Sequence, residues 1–160
     1  MTKAYIISAS VIMCCIASTS SAQNSLAANF TQLDHSCWQT QITPTEIDMH
    51  CFSLTHDKNL AMDVHKVRDV SGQLTYEGVT VINLKPQSGP ATYAYYGSTG
   101  YVLPGTIEDK GYDLVFYEKS EERTTLLTTW HFTKDSYTTQ PKNGKPRIYT
   151  KVAPVVNFGF

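Results

Sequence analysis

From Ser36 to Val152 the apolar residues never hold a helical spacing. Short runs rich in Val, Ile, Thr and Tyr alternate apolar with polar positions instead, cut by turn residues at intervals of roughly 8–12 residues. A period of two places successive side chains on opposite faces of an extended strand. The pattern predicts strands over Ser36–Thr43, His50–Thr55, Leu60–Val67, Gln73–Leu84 and Ala91–Tyr96. Five more follow over Tyr101–Ile107, Tyr112–Tyr117, Thr124–Thr133, Ser136–Gln140 and Arg147–Val152. Loops such as "HDKN", "DVSG", "GSTG", "EDKG" and "KNGKP" carry the residues of hairpin turns. Consecutive hairpins make an up-and-down antiparallel sheet. About ten such strands would leave two edges and a bare face unless they close, so the expected fold is all-β, a barrel. A two-sheet sandwich, the competing architecture, would call for longer crossing connections. Upstream, residues 25–35, "SLAANFTQLDH", predict one short helix with Ser25 as its cap.

The alternation also assigns faces. With "HDKN" as a four-residue hairpin loop, Thr55 opposes Leu60, Phe52 opposes Asp63, Cys51 opposes Val64 and His50 opposes His65. Through "DVSG", Val67 would oppose Leu74, His65 Tyr76, Asp63 Gly78 and Ala61 Thr80. One face then carries Phe52, Leu54, Val67, Leu74, Tyr76 and Ile82 and is expected inside. The other carries Cys51, Lys66, Gln73, Thr75 and Glu77 and is expected to be the wetter one, with Met62 and Val64 as blemishes. His50, Asp63 and His65 fall on the inner face, where buried polar groups must find partners or cost about 1–3 kcal/mol each. They satisfy one another, together with Tyr76, or contact a ligand, or the two histidines hold a metal or haem iron. His56 falls at a turn, out of reach.

The first 22 residues change the compartment. Lys3, the apolar run "AYIISASVIMCCIA" and the small residues "SSA" read as a secretory signal peptide, leaving residues 23–160 as a single domain. A lipoprotein signal would want a small residue before its cysteine, where Met13 or Cys14 stands. Export means a periplasmic or secreted protein. Of four cysteines, Cys14 and Cys15 would leave with the signal, and Cys37 and Cys51 are expected to form one disulfide. The alternative is a Cys/His metal site with His50, His56 or His65, but the C-x-x-C spacing of structural zinc sites is absent, so the disulfide is expected, with no metal and no cofactor. Without Lys3 the 13 basic and 14 acidic residues become 12 and 14, with no basic cluster for nucleic acid and no second apolar run for a membrane span. A monomer or weak dimer is expected.

The residues "CWQT", "HCF", "DVH.V", "YEGVTVI", "YAYYGSTG", "DLVFYE" and "TTW", spanning most of Cys37 to Trp130, resemble the bacterial exported lipocalin-like domains of the calycin group, mostly of unassigned function. In those relatives arginines stand at the positions of Met62 and Val64, while aspartate and histidine are kept at Asp63 and His65. That resemblance implies a barrel and an outward Met62/Val64 face. The chain departs in lacking the glycine before its first-strand tryptophan, Trp38. With only about six residues between strands one and two, it also lacks room for the helical lid of fatty-acid-binding proteins.

Three functions follow from such a barrel. The first is binding of a small hydrophobic or aromatic molecule in the lumen by His50, Asp63, His65, Tyr76, Thr80, Tyr93, Tyr95 and Trp130. The second is a lumen-active isomerase, cyclase or lyase. There His65, oriented by Asp63, would be the base and Tyr76 or Tyr95 the acid. The third is a filled barrel acting through its loops. No nucleophile elbow, zincin, phosphate-loop or dinucleotide motif occurs, and an enzyme is the lesser expectation. His131 should face solvent, as should Glu108–Asp109 and Glu121–Glu122 in their turns. "NFT" at Asn29 is a glycosylation sequon in a eukaryotic host.

Overall fold

The computed structural model describes residues 26–120 and 124–152. The expected signal peptide, the expected Ser25 cap and Glu121–Glu122 lie outside them. A helix, α1 (Leu26–Thr31), precedes ten strands. These are β1 (Ser36–Thr43), β2 (Glu46–Leu54), β3 (Leu60–Asp69), β4 (Leu74–Asn83) and β5 (Ala91–Gly97). β6 (Val102–Asp109), β7 (Asp113–Lys119), β8 (Thr124–Phe132), β9 (Ser136–Pro141) and β10 (Arg147–Val152) complete them. Each strand pairs antiparallel with its neighbours in sequence. β1 also pairs with β10, Cys37 opposite Val152 and Gln39 opposite Thr150, so the sheet is a closed barrel. No helix among the described residues is long and apolar enough to cross a membrane.

The β2–β3 register is the expected one, His50 opposite His65 and Phe52 opposite Asp63. β2 itself begins four residues earlier than its alternation suggested. Pro44 and Thr45 alone turn the chain from β1, and the polar residues Glu46 and Asp48 are strand, not loop.

The β3–β4 register differs by two residues from the expected one. Val67 opposes Tyr76, His65 opposes Gly78, Asp63 opposes Thr80 and Ala61 opposes Ile82. The turn explains it. The Asp69 carboxylate accepts from the backbone N–H groups of Ser71 and Gln73, Gly72 supplies φ 85°, and the Asp69 N–H reaches the Gln73 carbonyl. That tight turn alone would send Tyr76 outward. A bulge opposite Val67/Arg68 inserts Thr75 and restores the inner face. Leu74, expected inside, is exposed beyond the bulge.

Helix α1 is shorter than the expected 25–35 span and ends before His35, which takes φ 52°. It plugs the barrel end that holds the β2–β3 and β6–β7 turns. Phe30 and Leu33 are almost fully buried, and the Phe30 ring contacts Phe52 and Trp130. Asn29 Nδ2 donates to the Gly111 carbonyl at 2.6 Å, and Asp34 Oδ1 accepts from the Leu54 N–H at 2.8 Å. Asn29 is therefore buried, and its sequon is closed to modification in the folded protein. Above the plug lies an aromatic layer in which Trp130, Tyr137 and Tyr149 follow one another at ring separations of 5.3 and 4.7 Å. Cys37 and Cys51 form a disulfide between directly opposed residues of β1 and β2.

Candidate functional site

Strict alternation along β2 sends Asp48, His50 and Phe52 into the lumen, and along β3 it sends Asp63, His65 and Val67 there. His50 and His65 face each other across the ladder with their rings stacked, 4.3 Å between centroids and 9° from parallel. His50 Nδ1 lies 2.7 Å from Asp63 Oδ2 and its Nε2 lies 3.5 Å from Asp48 Oδ1. His65 Nε2 lies 2.7 Å from the same Asp48 Oδ1, but without the alignment of an N–H···O bond. The other Asp48 oxygen, Oδ2, accepts from the Tyr149 hydroxyl at 2.8 Å and has the half-exposed Arg147 guanidinium 3.6 Å away.

The acid–base pairing expected from the sequence is thus corrected. Asp63 serves His50, and the carboxylate beside His65 is Asp48. His50 stands between the two aspartates because its strand places it diagonally from one and two residues from the other. Asp48 was missed because "TPTEID" looks like a polar loop. The available signal was the period-two series Asp48–His50–Phe52.

Tyrosines complete the site. Tyr95, on β5, lies across Gly78, where a Cβ would sit 2.2 Å from its hydroxyl oxygen. Only glycine leaves that path open, and it lets the Tyr95 hydroxyl come within 3.3 Å of His65 Nδ1. Tyr95 also makes a short hydroxyl–hydroxyl contact with Tyr76, which bonds Tyr101 at 2.7 Å. The chain of hydroxyls runs from the half-exposed Tyr101 to His65. Tyr96, which the crowding of tyrosines on the fifth and sixth predicted strands also made a candidate for the pocket, points outward, and His131, expected on the surface, pairs there with Asp113.

These side chains border one lumen cavity of about 400 Å³. Its lining includes all eight residues singled out for ligand contact: His50, Asp63, His65, Tyr76, Thr80, Tyr93, Tyr95 and Trp130. Tyr101, one of the tyrosines that crowd the fifth and sixth predicted strands, lines it too, and so do Asp48, Arg147 and Tyr149, which were not foreseen. Phe116, Leu103 and Leu127 add to its apolar wall, opposite the carboxylates. The barrel is therefore not packed solid.

Charge is unevenly held. Burial alone would push the Asp48 carboxyl up. The His65 contact, the nearby His50 and the Tyr149 hydroxyl outweigh it and hold Asp48 below the ordinary carboxylate value. Burial alone would lower His50. The Asp63 and Asp48 carboxylates outweigh both that and Arg147, leaving His50 above the ordinary imidazole value. Burial and the Tyr76 contact raise Tyr95 far above a free phenol, burial and Asp48 do the same for Tyr149, and burial and Glu118 raise Tyr93 to about 12. Three residues have the donor types of a metal centre, Asp48, His50 and His65, with one ligand atom of each within 4.8 Å of the others.

Fold and site together define a closed ten-strand barrel, plugged at one end, whose lumen holds an acid–imidazole cluster under an aromatic wall. No family model matches the chain, and no curated protein matches it.

Proposed function

We propose that this is an exported, lipocalin-like protein that holds one small hydrophobic or aromatic molecule in its lumen. One observation carries the reading. Six buried side-chain polar atoms among the described residues lack a hydrogen-bond partner, and five belong to residues lining the cavity: Asp48 Oδ1, Asp63 Oδ1, His65 Nε2, Tyr93 Oη and Thr128 Oγ1. Unpaired buried groups cost about 1–3 kcal/mol each and are normally matched. Their concentration around one space, facing an apolar wall, fits a guest with a flat apolar body and a polar edge. A volume of about 400 Å³ lies in the range of small-molecule sites. The disulfide agrees with an oxidising, exported location.

Native mass spectrometry of protein taken from the exported fraction of its own host tests this. The expected spectrum shows a bound small molecule that is lost in His65→Ala or Tyr76→Phe. A bare protein whose Trp130 fluorescence no aromatic probe perturbs would remove the reading.

The contact of His65 with Asp48 on one nitrogen and Tyr95 on the other favours a second reading, acid–base turnover of the guest. His65 would be the base, Asp48 its partner, and the Tyr95–Tyr76–Tyr101 hydroxyls a proton path to solvent. Turnover of a co-purified guest that survives in His65→Ala would exclude it.

A further inference from the structure

We infer that the lumen floor is a binding site for a divalent transition metal ion, with Asp48, His50 and His65 as its ligands. The inference shares two unpartnered atoms, Asp48 Oδ1 and His65 Nε2, with the lumen-guest reading, and differs in resting on how they face each other and His50 Nε2 rather than on the empty volume beside them.

The first ground is how the outer atoms are spoken for. Tyr149 donates to Asp48 Oδ2, leaving Oδ1 directed at the two imidazoles. His50 Nδ1–H donates to Asp63 Oδ2 at 2.7 Å, and in that neutral tautomer the Nε2 lone pair lies on the Asp48 side. The Tyr95 hydroxyl is the partner of His65 Nδ1 at 3.3 Å, so His65 Nε2 is likewise free to ligate. A carboxylate–histidine pairing of this kind is the usual outer shell of a metal-bound imidazole, fixing its tautomer and raising its basicity.

The second ground is independent of the first. Asp48 is 2% exposed, and its Oδ1 sits 2.7 Å from His65 Nε2, yet both atoms lack a hydrogen-bond partner. A neutral Nε2 lone pair and a carboxylate oxygen at that separation repel unless they share a cation, either a proton on the ring or a metal ion that both atoms ligate. The donor set, two imidazole nitrogens and one carboxylate oxygen, suits zinc and iron(II) rather than calcium or magnesium. Three protein ligands leave a coordination position open towards the cavity, as in catalytic rather than structural sites. The stacked rings must splay to aim both lone pairs at one ion. Rotation about χ2, a broad torsion for imidazole, is the motion required.

Tag-free mature protein is stripped with chelator, then titrated with Zn²⁺ by calorimetry and with Co²⁺ by visible absorption. The expected result is one ion per chain, with d–d bands from Co²⁺. Asp63→Asn should weaken Zn²⁺ by about 10–100-fold, the usual cost of losing an outer partner. Asp48→Asn and His65→Ala should weaken it further, each variant being checked as folded by near-UV circular dichroism. His131→Ala, on the outer surface, should leave binding unchanged. Folded wild-type protein that takes up neither ion overturns the proposal. So does uptake that persists undiminished in both Asp48→Asn and His65→Ala. In either case the aromatic-probe test of the lumen guest is unaffected, because that probe is followed through Trp130 in stripped protein.

Discussion

His50 is an imidazole buried between two carboxylates, and it gives stability a definite dependence on pH. In the metal-free protein its value is raised above the ordinary imidazole figure of about 6.5. Its contribution is therefore fully present below that figure and is lost as pH rises through the folded value. Asp48 is lowered, so its contribution is present above the ordinary carboxylate value of about 3.9 and is lost as pH falls through its folded value. Denaturant unfolding across pH should accordingly show a maximum between those limits. His50→Asn should flatten the alkaline side and, by taking away one of the charges that hold Asp48 down, weaken the acid side too; an alkaline limb unchanged in that variant would contradict the assignment. The inward positions of His50, Asp63 and His65 were legible because strict alternation around a four-residue loop fixes them without any distant contact. Tyr149 and Arg147 were not, because only barrel closure brings β10 beside β1 and so places Tyr149 against Asp48. Nor was the Tyr95–His65 contact, which depends on a glycine facing the histidine.

Helix α1 was legible as a helix, but not as a plug. Periodicity marks an apolar face without saying what it covers, and a six-residue helix is too short to be stable without tertiary packing. Its hold on the barrel is Phe30, which is fully buried against Phe52 and Trp130. Phe30→Ala should cost about 3–5 kcal/mol in denaturant unfolding. It should also speed the exchange of backbone amides in α1 more than of those in β2 and β3. A loss below about 1 kcal/mol would mean the helix is dispensable for closing that end. The β3–β4 ladder shows a different limit of pattern reading. From Tyr76 onward its faces were foreseen while its pairs were not, because the Asp69 turn and the Thr75 bulge shift the register by two residues in total; only Leu74, between turn and bulge and shifted by one, changes sides.

Ten strands and one disulfide could be counted along the chain because each hairpin announces itself locally. Closure could only be argued, from the edges an open sheet would leave. The β1–β10 ladder supplies it with three residue pairs, and the Cys37–Cys51 bond ties β1 to β2 on its other side. A loop of about 15 residues closed by a disulfide stabilises by about 3 kcal/mol in the chain-entropy model. The double variant Cys37→Ser/Cys51→Ser should lose about that much while keeping its far-ultraviolet spectrum; an unfolded variant would show that the β1 seam depends on the bond altogether. The anchoring of Asn29 to Gly111 reaches back to synthesis itself. Those residues lie 82 positions apart, so during translation in a eukaryotic secretory pathway the "NFT" acceptor would meet the glycosylation machinery well before its partner turn had left the ribosome. A sugar chain attached in that interval would occupy the place where the helix must dock. The choice of production host therefore decides whether the barrel can be sealed at that end, independently of any change in its amino acids.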